Sequence, residues 1–199
     1  MGREDVLRII ENAGGTMTRR AAESAGISKS ALYRLRDEGQ LWELSRGVFR
    51  LANAPASSAI DLVAVCQRVH NGTICLNSAL AYWDLTDESP GQVHVAVPRG
   101  TWRPRIEYPP TQVHAFAAET FGIGRLKIAV DSGDEISIYS PERSIVDAFR
   151  MRHIVGRDVA FEALRRYLAE PRAERRGLIR IARLLRAEGP ILEALEILG

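Results

Sequence analysis

Apolar residues recur at helical spacing near the start of the chain, and capping residues mark where two short helices begin and end. Thr18 can cap the first helix, and Gly26 ends it, because glycine readily adopts the left-handed conformation found at helix C-termini. Ser28 begins a second helix, from Lys29 to Glu38, which Gly39 closes. A three-residue break between two short helices is typical of a helix-turn-helix, whose second helix usually enters the major groove of DNA.

The second helix divides its side chains between two faces. Ala31, Leu32 and Leu35 fall on one side and are expected to pack inward. Donor groups fall on the opposite side and at the N-cap, where they can bond phosphate oxygens and base edges. These candidate DNA-binding residues are Ser28, Lys29, Ser30, Tyr33 and Arg34, with Arg19 and Arg20 of the preceding helix placed to meet the phosphate backbone. The alternative is an ordinary solvated helix face.

Two short runs of apolar, β-branched and aromatic residues follow, Leu41 to Leu44 and Val48 to Leu51. They predict a β-hairpin, because Gly47 between them supplies the positive φ that a tight turn requires. Arg46 lies at the tip and is therefore a candidate DNA contact, as in the wing of a winged helix-turn-helix. A structural turn with a solvated Arg46 is the alternative.

The pattern of the whole chain predicts two domains. A helix from Asp5 to Ala13 can pack across the helix pair, so residues 1–52 are expected to form a winged helix-turn-helix domain. Residues 53–58 are small and polar with one proline, which is typical of a linker. Residues 59–199 predict a larger α+β domain with a mostly antiparallel sheet followed by C-terminal helices. The alternating strands of this sheet are Gln92–Val97, Thr111–Phe116, Arg125–Val130 and Glu135–Tyr139.

Helical spacing returns on both sides of these strands. Ser58 with Asp61, and then Asn77, are expected to cap two helices that precede the alternating strands. The helices expected after the sheet are Ser140 to about Ile154, Asp158–Glu170, Pro171–Glu188 and Ile191–Leu198. Gly189-Pro190 is expected to break the third of these from the fourth.

Two sets of charged residues lie on the C-terminal helices. Arg143 and Asp147 are four residues apart among apolar neighbours, and we expect a structural pair rather than a binding or catalytic site. The helix from Pro171 carries arginines that can neutralise nucleic-acid phosphates or meet an acidic protein. This possible basic face consists of Arg172, Arg176, Arg180 and Arg183. Glutamates on and near the same helix reduce the positive charge of this surface, so a solvated face is the default interpretation.

Composition narrows the class of protein. The 199 residues carry a formal net charge of +2, which by itself indicates no partner. No apolar run approaches membrane-spanning length, and the N-terminus lacks a signal-peptide core, so we expect a cytoplasmic protein with no membrane contact. Cys66 and Cys75 have no motif spacing and are expected to be reduced core thiols.

Few residues indicate catalysis, and we expect no enzyme, no metal and no cofactor. The histidines are scattered without metal-ligand spacing, at His70, His94, His114 and His153. Asp131, Asp134 and Glu135 are acidic neighbours of the kind that a nuclease can use, but they straddle Ser132-Gly133, which predicts a strand-linking turn. A metal-dependent nuclease tethered to DNA is therefore an alternative, and not the preferred one.

Several stretches resemble a known family. The winged-helix domain of the AbiEi family of antitoxins is similar to GGTMTRRAAESAGISKSALYRLRDEGQLWELSRGVFRL. The second, antitoxin domain of that family resembles TICLNSALAYWDL, QVHVAVPRG and ISIYSPERSIVDAFRMRHIVGRDVAFEALRRYL. The resemblance covers nearly the whole chain, and SPERSIVDAFR downstream of such an N-terminal domain is its more telling part.

The resemblance implies an antitoxin of a bacterial type IV toxin–antitoxin system. Members of the family repress their own operon by binding inverted repeats in the promoter, and their C-terminal domain neutralises a cognate nucleotidyltransferase toxin. By position, Lys29, Ser30, Tyr33 and Arg34 fall on the recognition helix and Arg46 on the wing. Binding to an inverted repeat needs two copies, either a stable dimer or monomers placed side by side, and the free chain is expected to be a monomer or weak dimer. The alternative is a winged-helix transcriptional regulator with no toxin partner, whose second domain senses a small molecule in a pocket within residues 73–140.

Overall fold

The structure is a computed structural model and describes residues 1–130 and 133–198. The helices are α1 (Arg3–Asn12), α2 (Arg19–Ser24), α3 (Lys29–Asp37), α4 (Ile60–Arg68), α5 (Leu76–Tyr82), α6 (Ala118–Phe121), α7 (Pro141–Arg150), α8 (Arg152–Val155), α9 (Arg157–Ala169), α10 (Arg175–Leu184) and α11 (Glu188–Leu198). The strands are β1 (Thr16–Thr18), β2 (Leu41–Ser45), β3 (Val48–Leu51), β4 (Thr73–Ile74), β5 (Val93–Pro98), β6 (Thr111–Phe116), β7 (Arg125–Ala129) and β8 (Glu135–Tyr139). Within the described ranges, no helix has both the length and the apolar character needed to cross a membrane.

The chain forms two compact units, and each unit combines segments that are distant in sequence. Unit 1 comprises Met1–Asn71, Pro104–Thr111 and Lys127–Ile136. Unit 2 comprises Gly72–Arg103, Gln112–Leu126 and Ser137–Gly199. Unit 1 therefore contains the helix-turn-helix and its hairpin together with α4, which follows the expected linker.

The helix-turn-helix forms where the capping residues predict it. Thr18 Oγ1 accepts a hydrogen bond from Ala21 N at 3.1 Å. Ser28 Oγ accepts one from Ala31 N at 3.2 Å. Each hydroxyl thereby satisfies a backbone donor that has no partner inside its own helix. Gly26 follows α2 with a φ of +85°, in the left-handed region that a glycine adopts without strain.

The sheet of unit 1 contains a strand that the sequence did not predict. The strands pair antiparallel in the order β1-β3-β2, with Met17 opposite Phe49 and Trp42 opposite Arg50. β1 has only three residues, too few for an alternation of apolar and polar positions to predict a strand. Its extended conformation depends on the hydrogen bonds that β3 offers, which is a tertiary effect.

The core of unit 1 is apolar and is shared by α1, the helix pair and the hairpin. Its buried side chains are Val6, Ile10, Met17, Ala22, Ile27, Leu32, Leu35, Leu41, Phe49 and Leu51. α4 packs against β1, β2 and β3. The predicted cap of this helix by Ser58 is wrong, because Ala59 holds the N-cap position without a side-chain bond. Ser57 Oγ instead accepts a hydrogen bond from Ala59 N at 3.1 Å.

The second sheet is mixed and follows the order β6-β5-β4-β8-β7. β4 pairs antiparallel with β5 and parallel with β8, where Ile74 lies opposite Ile138. The predicted cap by Asn77 is wrong, since α5 begins at Leu76 and Cys75 is its N-cap residue. The α+β fold class is confirmed, with an N-terminal winged helix-turn-helix, a sheet and then C-terminal helices.

α7 is the central helix of unit 2 and packs against α5, α9 and α10. Ser140 Oγ accepts a hydrogen bond from Arg143 N at 3.2 Å and caps the helix. Pro141 is the first helical residue, a position where its missing N–H breaks no helix hydrogen bond. The helix ends at Arg150, before the predicted Ile154, because Met151 leaves the helical conformation.

The last two helices differ from the prediction at their boundaries. α10 is shorter than the predicted Pro171–Glu188, since it begins after Glu174 and ends at Leu184. Tyr167 Oη accepts a hydrogen bond from Glu174 N at 2.8 Å, so a contact with α9 supports this start. α11 begins at Glu188, and Gly189-Pro190 therefore lie in its first turn instead of breaking a helix. Proline is tolerated there because the first N–H groups of a helix have no intrahelical partner.

Candidate nucleic-acid interface

α3 presents polar side chains at its N-terminal end while its apolar side chains enter the core of unit 1. Leu32 and Leu35 are completely buried. The exposed residues are Ser28, Lys29, Ser30 and Arg34. The hydroxyl oxygens of Ser28 and Ser30 are hydrogen-bonded to each other at 3.0 Å. Hydroxyl, ammonium and guanidinium groups on one exposed helix face match the donors that bond phosphates and base edges.

Tyr33 is less available than its position in the sequence suggested. Its side chain is half-buried, and its ring meets the Phe49 ring edge-on, with the centroids 5.5 Å apart. The Arg36 guanidinium lies 4.6 Å from the centroid of the Tyr33 ring, and Lys29 Nζ lies 5.7 Å from it. Both distances allow cation–π attraction. The Tyr33 ring therefore packs α3 against β3 and holds two cations near it.

Two candidate arginines already have carboxylate neighbours. Arg19 Nε lies 3.6 Å from Glu23 Oε1, and Arg34 Nε lies 3.8 Å from Glu38 Oε1. Both pairs are exposed and long, and exposed ion pairs contribute little to stability. A phosphate or a guanine edge can therefore replace the carboxylate as the partner of either arginine.

The remaining candidate cations have no such competitor. Arg20, Lys29 and Arg46 are exposed and have no ion-pair partner in the part of the chain that the structure describes. Residues 1–52 contain nine Lys or Arg and seven Asp or Glu, so this segment is only weakly basic as a whole. Unpaired cations therefore matter more here than net charge, because they are the groups immediately ready to neutralise phosphates.

Glu43 on β2 connects α3 to the hairpin turn, and the sequence analysis missed it. Its Oε2 accepts a hydrogen bond from Arg36 Nη1 at 2.8 Å, and its Oε1 accepts one from Gly47 N at 2.8 Å. Hydrogen bonds raise the pKa of Arg36, chiefly the bond to Asp37 and secondly the bond to Glu43. No local pattern marks this link, because it forms only when the hairpin folds back onto α3.

The hairpin turn, Arg46-Gly47, is held through its backbone. Besides the bond from Gly47 N to Glu43, Gly47 O accepts a hydrogen bond from Arg19 N at the start of α2, at 2.7 Å. Arg46 O accepts one from Arg68 Nη1 at the end of α4, at 2.9 Å. Gly47 has a φ of +75°, as the hairpin prediction requires. The side chain of Arg46 is exposed, so the turn presents a cation on a fixed backbone.

β3 carries a buried arginine whose partner comes from a distant segment of unit 1. Arg50 Nη1 lies 2.6 Å from Asp134 Oδ2 and donates to Thr16 Oγ1 at 2.8 Å. Thr16 Oγ1 donates in turn to Asp134 Oδ2 at 3.1 Å. Arg50 Nη2 donates to Pro55 O at 2.7 Å. The buried guanidinium is thus paired and hydrogen-bonded within unit 1.

The suggested nuclease carboxylates do not gather into a site among the residues described. Asp131 lies outside the described residues. Asp134 is buried in its ion pair with Arg50, and the exposed Glu135 pairs with Lys127 at 3.0 Å. Across residues 1–130 and 133–198, no three His, Cys, Asp or Glu side chains are grouped so that they could hold a metal ion. Asp134 therefore serves the fold of unit 1.

Arg143 and Asp147 form a buried ion pair in unit 2. Arg143 Nε lies 2.7 Å from Asp147 Oδ2, and Asp147 Oδ1 accepts a hydrogen bond from Arg150 Nη1 at 2.7 Å. Arg143 Nη1 donates to the carbonyl oxygens of Thr120 and Ile123 at 2.9 and 2.6 Å. Burial raises the pKa of Asp147, and the two arginines oppose that rise. The pair is bonded to its own helix, to α6 and to the loop after α6, which is a structural arrangement.

The possible basic face is not one continuous helical stripe. Arg172 lies in the turn before α10, and only Arg176, Arg180 and Arg183 are on the helix. Arg183 Nη2 lies 2.6 Å from Glu188 Oε1, so its charge is already paired. Arg176 and Arg180 are exposed. Two exposed arginines on a helix surface are typical of a solvated face.

β5 and β6 bring together two histidines that are far apart in sequence. His94 Nδ1 and His114 Nε2 are 3.0 Å apart, their rings are stacked, and both side chains are buried. Burial lowers the pKa of both residues, and with the added influence of His94 and Arg103 that of His114 falls to about 4. The four-residue coordination typical of zinc needs further protein ligands, which the described residues do not supply here.

The small-molecule sensor considered above requires a pocket within residues 73–140. One groove, of about 300 Å³, lies in unit 1 and is lined by Leu7, Glu11, Gln40, Leu51, Ala52 and Asn53. It is therefore not the pocket that the sensing hypothesis needs, and that hypothesis stays a prediction.

A helix-turn-helix followed at once by a short β-hairpin defines the winged-helix class. Residues 4–52 match the family model described as "Transcriptional regulator, AbiEi antitoxin", and this span runs from α1 through β3. The resemblance of the N-terminal segment to the AbiEi family is thereby confirmed.

Among solved structures, the crystal structure of the RV2827C protein from Mycobacterium tuberculosis is similar to this chain. The two align with a TM-score of 0.51 and 16% sequence identity, over 96% of this chain and 79% of that chain. At this level of identity the likeness shows a shared fold alone. No curated protein sequence matches the chain.

Proposed function

We propose that this protein is a non-enzymatic, DNA-binding antitoxin that represses its own operon by binding inverted repeats in the promoter. In this proposal α3 lies in the major groove, with Lys29, Ser30 and Arg34 at base edges and phosphates. Arg20 meets the phosphate backbone, and Arg46 on the wing contacts a neighbouring groove or phosphate.

The observation that carries the DNA-binding part is the exposed, unpaired set of Arg20, Lys29 and Arg46 within the segment that matches the AbiEi family model. These three cations belong to α2, α3 and the hairpin, the elements that winged-helix proteins bring to DNA. The backbone of the turn that carries Arg46 is held by bonds to β2, α2 and α4, so the position from which Arg46 meets DNA is fixed.

Inverted repeats set the number of copies that bind. A two-fold symmetric operator presents two half-sites, spaced by about one helical turn or a multiple of it, and each half-site takes one recognition helix. We propose that two chains bind side by side as monomers or as a weak dimer. Sedimentation of the chain with and without operator DNA distinguishes a dimer that exists beforehand from one that the DNA assembles.

The antitoxin part of the proposal assigns neutralisation of a cognate nucleotidyltransferase toxin to the C-terminal region. It rests on the resemblance of that region to the antitoxin domain of the family. The telling stretch, residues 140–150, is mostly buried as the start and body of α7, with Arg143–Phe149 in the core of unit 2. This motif therefore maintains the fold, and the surface that meets a toxin is formed by other, exposed residues.

The DNA-binding part is tested by titrating the full chain against DNA from upstream of its own coding sequence. An unrelated duplex of equal length serves as competitor, and salt is varied. We expect specific retardation whose logarithmic affinity falls linearly with the logarithm of salt concentration. Equal affinity for both duplexes would contradict operator recognition, and absence of binding would contradict the DNA-binding function altogether.

The antitoxin part requires a separate experiment, so that the two parts can fail independently. The chain is co-expressed with a nucleotidyltransferase encoded beside it, and growth of the host is measured. A variant with Lys29→Ala and Arg34→Ala provides the matched control, because it loses two recognition-helix cations and leaves unit 2 unchanged. Rescue by both forms supports neutralisation through the C-terminal region. No rescue by the unaltered chain contradicts the antitoxin part alone.

A further inference from the structure

The direction in which the wing presents Arg46 depends on the atoms that hold its backbone. The turn consists of Arg46, whose side chain is exposed, and Gly47, which has none. Neither residue can therefore fix the turn by burying a side chain of its own. A contact between Arg46 and DNA requires that the backbone point the guanidinium toward the duplex before binding, since ordering it afterwards would reduce affinity.

One side of the turn is held by the helix-turn-helix itself. Glu43 Oε1 accepts a hydrogen bond from Gly47 N, while its Oε2 is bonded to Arg36 of α3. Arg19 N at the start of α2 donates to Gly47 O at 2.7 Å. These residues all lie within residues 4–52, the span of the family match.

The other side of the turn is held from outside that span. α4 packs against the hairpin, and Arg68, its last residue, donates from Nη1 to the carbonyl oxygen of Arg46 at 2.9 Å. Arg68 is half-buried, and its Nε is removed from solvent. The guanidinium therefore does not lie free on the surface. A charge-assisted bond to the carbonyl of Arg46 acts on the very residue that carries the wing cation.

We propose that Arg68 is a positioning residue for DNA binding, which acts by fixing the Arg46-Gly47 turn and has no contact with DNA of its own. The inference rests on the proposed DNA-binding function. It extends the DNA-binding element beyond the hairpin to the end of α4, so the functional module of unit 1 is longer than residues 4–52.

A double-mutant cycle on the full chain tests this role. Operator affinity is measured for the unaltered protein, Arg46→Ala, Arg68→Met and the double variant, and thermal melting shows that each one folds. Methionine keeps an unbranched apolar stem and removes the donor. Arg8→Met is the matched control, because it removes the same charge from an exposed arginine of α1 that pairs with Asp5.

We expect Arg46→Ala to weaken binding about tenfold, the factor that corresponds to 1.4 kcal/mol. Arg68→Met should weaken it by a comparable factor, and the double variant should be no weaker than Arg46→Ala, because both changes remove one interaction. The double variant should also keep the salt dependence of Arg46→Ala. A direct phosphate contact by Arg68 would instead lower the salt slope by about one further unit.

Several outcomes would overturn the inference. The affinity of the double variant could fall by the product of the two single losses, or Arg68→Met could weaken binding no more than Arg8→Met does. Either result would show that Arg68 acts through its charge or through its own contact with DNA, and not by positioning Arg46. If the protein binds its operator and Arg46→Ala does not change the affinity, then Arg46 makes no contact with DNA. The proposed function would stand, but this inference would be wrong. A chain that binds no DNA would overturn both.

Hydrogen exchange gives a readout that does not depend on DNA. The Gly47 amide is hydrogen-bonded to Glu43, and we expect it to exchange faster in Arg68→Met than in the unaltered chain, because the turn opens more often. Arg8→Met should leave this exchange unchanged. If Arg68→Met does not fold, Arg68→Leu serves in its place, since it also keeps an apolar side chain and removes the donor. An unchanged exchange rate in a folded variant would also contradict the inference.

Discussion

Arg50 Nη1 lies 2.6 Å from Asp134 Oδ2, and both side chains are buried although 84 residues separate them in sequence. Thr16 joins them, accepting a hydrogen bond from Arg50 and donating one to Asp134. The family match ends at residue 52, so the segment that contains Arg50 folds with a carboxylate from outside the matched span. Buried ion pairs add little net stability, but the loss of one partner leaves the other charge buried without compensation.

Asp134→Ala should therefore destabilise the protein strongly. We expect the free energy of unfolding to fall by about 3–5 kcal/mol, because Arg50 then remains buried without its counter-ion. Urea denaturation followed by circular dichroism measures this difference. Glu135→Ala is the matched control, since its exposed pair with Lys127 should contribute less than about 1 kcal/mol. Equal losses in the two variants would contradict the structural role of the buried pair.

Arg34→Ala tests whether the exposed face of α3 reads DNA. We expect operator binding to weaken by about 1–3 kcal/mol and the preference at one base position to relax, because an arginine can grip guanine with two hydrogen bonds. Fluorescence anisotropy with a set of singly substituted operators measures both effects. A similar loss for every sequence would identify a phosphate contact instead. Unchanged binding would show that another face of α3 meets the DNA.

Glu38→Gln should strengthen binding, since Glu38 competes with DNA for Arg34 and also lies 3.9 Å from Arg3. We expect affinity for the operator to rise by about two- to fivefold at low salt, and the gain to vanish at high salt, because it is electrostatic. Glu4→Gln removes the same charge from an exposed position on α1. An equal gain from that control would show that net charge, and not release of Arg34, is responsible.

The parts of the fold that could be predicted depend on residues close together in the chain. Thr18 and Ser28 each bond an amide three residues ahead, and Gly26 provides a left-handed residue after α2. All of this chemistry lies within one helical turn, so the sequence pattern reveals it. The exposed and buried faces of α3 follow for the same reason, because helical spacing alone separates Lys29 from Leu32.

The parts that could not be predicted depend on partners brought together by folding. Glu43 contacts Arg36 only when the hairpin is packed against α3, and many other ion pairs between acidic and basic side chains were equally compatible with the sequence. Arg172 precedes α10 because the helix starts after Glu174, where Tyr167 of α9 bonds the backbone. Proline is favoured in the first turn of a helix and is also common in the loop before one. Pro171 therefore could not show whether the helix begins at Pro171 or after Glu174.

Gly124→Ala should destabilise unit 2. Gly124 has a φ of +68°, and a Cβ added there would lie 2.6 Å from Arg143 Cβ. We expect the free energy of unfolding to fall by about 2 kcal/mol or more, since the left-handed conformation alone costs an alanine about 1–2 kcal/mol. Gly91→Ala is the matched control, because its φ is not in that region and no atom lies within 4 Å of the added carbon. Thermal or urea unfolding of both variants decides the matter, and equal stabilities would contradict the tight approach to Arg143.

The buried pair of His94 and His114 should make the protein lose stability in mild acid. Burial, aided by His94 and Arg103, lowers the pKa of His114 from 6.5 to about 4. Above pH 6.5 the His114 imidazole is neutral in both the folded and the unfolded chain. Between pH 6.5 and 4 it is protonated in the unfolded chain and neutral in the folded chain, so the unfolded state is favoured. We expect this residue to remove about 2 kcal/mol of stability across that interval, allowing for partial solvent screening. Urea denaturation at a series of pH values should show a shallower loss for His114→Gln. Equal profiles for His114→Gln and the unaltered protein would contradict the burial of the pair.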